Sequence, residues 1–324
     1  RTIESFGQKL CSFSIAKKWL TIILSVVVAF SGGLGVHKLV FSGDYQVFFS
    51  DDNPELKTFL DFEATYGKSD NISFVIIPKE GDIYKPEVID AVYNITQKSW
   101  NIPYVSRVDS LTNFQHSYAI KDDLIVEDLV FDPKEIDSKT ELEKIKAIAL
   151  NEPLLKNFIV AENGGATIVN AVLQVERSNP QDVASTVAKA REIKNEILKS
   201  YPKIDVKLIG VTMLSSAFSE AAIADSEKIV PAMYILMTIV MLLVLKSVLA
   251  TISTLILIVL SVVFAMGVGG WFGVELTPIS VTAGTIVLIV AVADAIHILV
   301  EFKQRMKKGV GKNQAIIEAV SINA

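Results

Sequence analysis

Cysteine is almost absent from this sequence. Cys11 stands alone, so no internal disulfide can form; the disulfide-stapled class is excluded and the redox compartment stays open. Histidine is nearly as scarce, and His37 and His116 have no ligand-type neighbours at metal-binding spacing. No H-E-x-x-H, C-x-x-C, Walker-type phosphate loop or nucleophile elbow occurs, which leaves ATP-driven transport and metallo-catalysis without a motif. No cofactor and no metal is expected. Positive charge is missing where a nucleic acid would need it: Asp44 to Lys228 carries 20 basic against 31 acidic side chains, a net of −11. The remainder holds 11 basic and 5 acidic residues, its excess positive charge on the flanks of the apolar runs, so a nucleic-acid partner is disfavoured.

What is abundant is hydrocarbon. With 51% hydrophobic and 21% charged residues at a mean hydropathy of +0.43, the 324-residue chain is too apolar for an ordinary soluble domain and too charged for an all-membrane one. It must be a composite. Four apolar runs, Trp19 to Val36, Ile229 to Leu245, Val248 to Val274 and Leu276 to Val300, approach or exceed the roughly 18–20 residues that cross a hydrocarbon core of about 30 Å. All four read as transmembrane helices. The first follows Lys17-Lys18 as a signal peptide would, but it is long and lacks an A-x-A cleavage site, so it reads as a retained span.

Basic residues set the orientation. Arg1, Lys9, Lys17 and Lys18 precede the first span, Lys246 sits between the second and third, and Lys303, Arg305, Lys307, Lys308 and Lys312 follow the fourth. A cytoplasmic N-terminus places all of them on one side and puts the long acidic loop outside. The expected division is a cytoplasmic interfacial helix (1–16), transmembrane helices at 17–40, 229–247, 248–274 and 276–302, an extracytoplasmic porter-like α+β domain (41–228), and a cytoplasmic segment (303–324). In the first segment Ile3, Phe6, Leu10 and Phe13 recur at helical spacing, the alternative being a frayed tail. The chain begins on arginine and stops inside a helical pattern (Gln314 to Ala319), as an excerpt of a longer protein would.

The long loop has a repeated rhythm. Ile72 to Pro78 reads as a strand, Pro86 to Trp100 as a helix and Tyr104 to Val108 as a strand; Thr167 to Val175, Asp182 to Ser200 and Ile204 to Ile209 repeat the pattern. Two β-α-β units predict a split β-α-β sandwich with helices on one side of the sheet. Leu124 to Phe158 reads as helices inserted between the copies, and Leu214 to Ile229 as a helix running into the second span. The sequons Asn71-Ile72-Ser73 and Asn94-Ile95-Thr96 fall on a strand and a helix that bury parts of both, so they read as chance triplets.

Asp294, in Ala291-Val292-Ala293-Asp294-Ala295-Ile296-His297, is the most informative residue. A carboxylate in an apolar span costs roughly 2.5–3.5 kcal/mol on insertion scales, so some interaction or function must offset it. Counting ~1.5 Å per residue from Pro278 places it about 24 Å along the helix. His297 and Glu301 follow at three and seven residues, which puts all three on one stripe, with Ala283, Val287 and Ala291 continuing it outward. Such a ladder suits a proton relay. The plainer reading makes Asp294 an interhelical hydrogen-bond anchor and His297 and Glu301 markers of the membrane boundary. Gly267, Gly269, Gly270 and Gly273, with Ser261, read as a surface for close helix packing.

Together, Tyr45 to Pro54 after the first span, Gly210-Val211-Thr212 before the second, and Val292 to His297 followed by Phe302-Lys303 in the fourth resemble the first repeat of the RND (resistance, nodulation and division) superfamily. The likeness is to its hydrophobe and lipid exporter-like branch, itself related to sterol-sensing-domain proteins. The resemblance implies a multi-pass protein of the bacterial inner membrane with its large loop in the periplasm. It implies a pump, not an enzyme, exporting lipidic or other hydrophobic cargo on proton-motive force, with Asp294 as relay acid. Two departures stand out: Ala295 occupies a place where many relatives carry a second Asp or a Tyr, and the fifth and sixth spans and the second repeat are not in the sequence. The alternative is a non-pumping scaffold whose outer domain docks a cell-envelope partner protein. A homo-oligomer is a further candidate assembly. A membrane-tethered enzyme is disfavoured, because no nucleophile, base and orienting group cluster in the loop.

Overall fold

A computed structural model describes residues 2–50, 52–136, 139–176, 179–277 and 280–323. Asp51, in the resemblance motif, and Pro278, from which the fourth helix was counted, lie outside the described residues, as do the side chains of Ile3, Phe6 and Tyr45. In chain order the elements are α1 (Thr2–Ala16), α2 (Lys18–Gly33), α3 (Pro54–Tyr66), β1 (Asp70–Pro78), α4 (Pro86–Ser99), β2 (Val105–Asp109), β3 (Gln115–Ile120) and β4 (Asp123–Asp128). Then come α5 (Lys139–Asn151), β5 (Thr167–Leu173), α6 (Pro180–Ser200), β6 (Ile204–Ile209), α7 (Val211–Leu245), α8 (Val248–Trp271), α9 (Ala283–Lys307) and α10 (Lys312–Asn323). They group into two units, Arg1–Ser42 with Ser219–Ala324, and Gly43–Phe218.

In the Gly43–Phe218 unit the sheet order is β2-β5-β1-β6, with every neighbouring pair antiparallel. The two β-α-β units therefore interleave: β5 lies between β1 and β2, and β1 lies between β5 and β6. This is the split β-α-β sandwich. Alternation on β5 buries Thr167, Val169, Ala171 and Leu173, which pack with Ile72, Phe74 and Ile76 of β1 under the apolar faces of α4 (Val88, Ile89, Val92, Ile95) and α6 (Val187, Ala190, Ile193, Ile197). Polar residues hold the helix starts: Asn53 and Asn179 cap α3 and α6, each with proline at the first turn.

The insertion departs from the sequence expectation. α-Helix occupies only Lys139–Asn151, with a short 3-10 turn at Pro133–Glu135, while Leu124 lies on the return strand of a β3–β4 hairpin. Leu124-Ile125-Val126 is short and apolar, two of its three residues β-branched, a run that periodicity alone does not separate from helix. The hairpin turns at Lys121, held at φ 57 in the left-handed region without a glycine.

Among the described residues, four helical stretches are long and apolar enough to cross a bilayer: Lys18–Lys38, Val211–Leu245, Val248–Trp271 and Ser280–Lys307. Their outward surfaces are hydrocarbon; Trp19 and Phe30, for instance, are both 70% exposed. α8 packs against α2 on one side and α9 on the other, and Met241, Leu245, Ile258 and Leu288 tie α7, α8 and α9 into one core. Glycines let α2 and α8 meet at backbone distance, as the small-residue surface implied. Regular helix in the fourth span starts later than a count from Pro278 implies. Thr277 and Ser280 cap one another, Ser280 N donating to Thr277 Oγ1 at 3.1 Å and Thr277 N to Ser280 Oγ at 2.7 Å, and regular α-helix begins at Ala283.

Candidate functional site

α9 carries the residues singled out from sequence. Asp294 lies eleven residues into it, about 16 Å from its start and near the middle of the helix. Ala291, Val292, Ile296 and Leu299 pack into the core shared with α7 and α8, which turns Asp294 and His297 to the opposite, exposed side. Ala291 does not continue that exposed face; Ile286 and Val290, 60% and 54% exposed, do. Asp294 and His297 share a helix face at i, i+3 spacing. Among the described residues neither makes a hydrogen bond or ion pair, so the cost of a carboxylate at mid-helix is not met within them.

Glu301 is placed differently. Its Oε1 accepts from Arg305 Nε at 2.7 Å, and Arg305 Nη1 donates to Glu318 Oε2 on α10 at 2.6 Å. Gln314 Nε2 also donates to Glu318. The stripe thus divides into two unpartnered groups, Asp294 and His297, and a third committed to a three-residue ionic clamp joining α9 to α10. Arg305 and Glu318 were not expected as site residues. The Glu301/Arg305 half had a signal in its i, i+4 spacing, whereas Glu318 reaches Arg305 only because α10 folds back on α9.

The Gly43–Phe218 unit offers two grooves, one on each side of the β3–β4 hairpin. One, of about 480 Å³, is lined by Phe131, Ile136, Ile145 and Ile148 together with His116 and Tyr118. The other, of about 800 Å³, is lined by Phe114, Leu154, Leu155 and Phe158 with Arg107 and Asp109 at its polar side. Phe131, Leu154 and Phe158 are 83%, 69% and 71% exposed, large apolar side chains held at the surface. His116 stacks on Tyr118 at 5.5 Å. Among the described residues no group of three or more His, Cys, Asp or Glu is arranged to hold a metal ion.

Both sequon asparagines are occupied by the fold. Asn71 Nδ2 donates to Asn170 Oδ1 at 2.8 Å and to Ser73 Oγ at 3.2 Å, and its Oδ1 accepts from Val211 N at the start of α7. Asn94 Nδ2 donates to the Tyr201 hydroxyl at 2.8 Å, and Thr96, its sequon partner, is buried.

A crystal structure of a heavy metal efflux pump aligns over 96% of this chain at 13% identity and a TM-score of 0.48; the chain spans 41% of that pump's length. No curated protein sequence matches significantly. The sequence profile of the MMPL family matches residues 94–323, from the second half of α4 through α10, well over half of the chain. The chain belongs to the MMPL family.

Proposed function

We propose that this chain forms part of a proton-motive-force-driven exporter of lipidic or other hydrophobic molecules. The N-terminus faces the cytoplasm and residues 41–228 lie outside the inner membrane as a porter-like domain. The observation that carries the reading is Asp294: a carboxylate at the middle of a membrane helix, unpartnered among the described residues and one turn from His297. An acid held there purely for packing would be matched by a donor on a neighbouring helix. On the exposed face it is available to exchange a proton with a group brought against it, and His297 extends the route toward the basic end of the helix. The grooves beside the hairpin set Phe114, Phe131, Ile145, Leu154 and Phe158 among polar and charged side chains, a mixed wall that suits an amphipathic, lipid-like cargo.

Asp294→Asn tests the reading, since it keeps size and hydrogen bonding but removes the exchangeable proton. In proteoliposomes of the full-length transporter carrying an imposed pH gradient, the variant is expected to insert normally and to abolish proton-coupled export. His297→Ala is expected to slow it only partly, because water can bridge near the helix end. Full export by the Asn variant would sink the relay. The second reading, a non-pumping scaffold, is favoured by one observation: Glu301, the lowest rung, is tied up by Arg305. A wild type with no pH-driven flux, whose outer domain captures an envelope protein, would select it.

A further inference from the structure

We propose that α8 and α9 bind one anionic phospholipid in the leaflet at the Lys246 and Lys303 end, as a resident ligand distinct from any cargo. A groove of about 490 Å³ runs between the two helices there, walled by Leu249, Ala250 and Leu257 on one side and Ala295, Ile298 and Leu299 on the other. Small side chains at Ala250, Ser253 and Ala295 open the trough. Its hydroxyls are already used by the helix that bears them: Ser253 Oγ donates to Leu249 O at 2.9 Å and Thr254 Oγ1 to Ala250 O at 2.8 Å, while Ser247 Oγ accepts from Ala250 N. The wall is therefore hydrocarbon in character, and at bilayer depth its natural occupant is an acyl chain.

The polar end of the trough decides which lipid. Lys246 directly precedes Ser247 at the groove's end, in the turn between α7 and α8. Lys303 lies one helical turn beyond Leu299, on the same side of α9. The two helices run in opposite senses, so the two lysines flank the same mouth. Lys246 is exposed and Lys303 half-buried, and neither has an ion pair among the described residues. The nearby carboxylates, Glu301 and Glu318, are both consumed by Arg305. Two ammonium groups without an ion pair among the described residues, over an apolar trough, match a phosphodiester whose single negative charge is not cancelled by its own headgroup amine, with the lysine stems snorkelling along the acyl chain. A covering protein helix would have to supply acids at that level to avoid stranding both cations. The inference rests on the helices being membrane spans and is independent of whether the protein pumps.

The test uses the purified full chain in nanodiscs of equal phosphatidylglycerol and phosphatidylcholine content, released into native mass spectrometry. Wild type is expected to retain phosphatidylglycerol over phosphatidylcholine by roughly tenfold. Lys246→Gln with Lys303→Gln is expected to bring the two lipids close to parity, and Lys246→Arg with Lys303→Arg to restore the preference. Ala295→Phe fills the trough and is expected to lower retention of both lipids; Ser253→Leu repeats the filling from α8, and thermal unfolding confirms that each variant is folded. A preference that survives the double Gln change overturns the site. So does undiminished phosphatidylglycerol on both filled variants, which would mean surface attraction without a groove. A lipid-free wild type, alone or as an oligomer with a second copy in the trough, overturns it as well.

Discussion

Gly35 and Gly267 touch backbone to backbone: a Cβ on Gly35 would lie 1.9 Å from the Gly267 carbonyl oxygen, and a Cβ on Gly267 would lie 2.1 Å from that of Gly32. Backbone cannot move aside as a side-chain end can, so these positions admit no methyl group without parting α2 from α8. Gly267→Ala is expected to destabilise the helix pair by roughly 1–3 kcal/mol, the usual cost of overpacking. Gly269→Ala is the control, since its nearest neighbour stands at 3.9 Å. Equal unfolding temperatures in detergent for the two variants would show that the close approach does not matter.

Gly210 joins β6 to α7 at φ +119, where a Cβ would lie 2.4 Å from the Asn71 carbonyl oxygen. Gly210→Ala combines backbone strain with a clash and is expected to cost about 2–4 kcal/mol. Asn71→Ala, which removes the acceptor for Val211 N and the link to Asn170, is expected to cost about 1–2 kcal/mol. Denaturant midpoints of the two variants rank them, and the reverse order would refute the junction described.

Arg305 carries two carboxylates with all three side chains roughly 70% covered, at 29%, 25% and 31% relative exposure. Arg305→Gln is expected to loosen α10 from α9 by about 1 kcal/mol, with a coupling of similar size in a double-mutant cycle with Glu318→Gln. Amide exchange on α10 reads the loosening directly. Additive single effects would mean that the clamp exists without contributing.

Burial, and then the Asp82 charge, push Tyr84 up to about 12, while burial and the Asp90 hydrogen bond raise Tyr201 further from the ordinary value of 10.0. Both phenols are held protonated by the fold. Their contribution is complete below pH 10 and is lost as pH rises through the folded values, because the unfolded chain gives up its protons first. The prediction is a stability that declines above about pH 10. Tyr201→Phe should flatten the decline, and an absorbance titration should show one late-ionising tyrosine fewer. An unchanged slope would remove Tyr201 from the account.

Much of this architecture follows from local sums along the chain. Four runs of apolar residues specify four spans because hydration cost accumulates residue by residue, whatever the rest of the molecule does. The same locality makes Asp294 conspicuous, and the alternation of strand and helix periods in the loop marks out two β-α-β units. Interleaving is another matter. Nothing within Thr167 to Leu173 says that it slots between β1 and β2; the register follows from both units sharing one apolar face under α4 and α6. Short runs such as Leu124 to Val126 resolve into strand only when a partner strand supplies hydrogen bonds. Spacing places Asp294, His297 and Glu301 on one stripe, and it also sets Arg305 one turn beyond Glu301, where it takes that carboxylate out of the free set. The other half of the clamp was not legible in this way, because Glu318 reaches Arg305 only when α10 folds back on α9. Periodicity is a property of one helix, whereas partnership depends on which helices meet, and only the tertiary structure decides that.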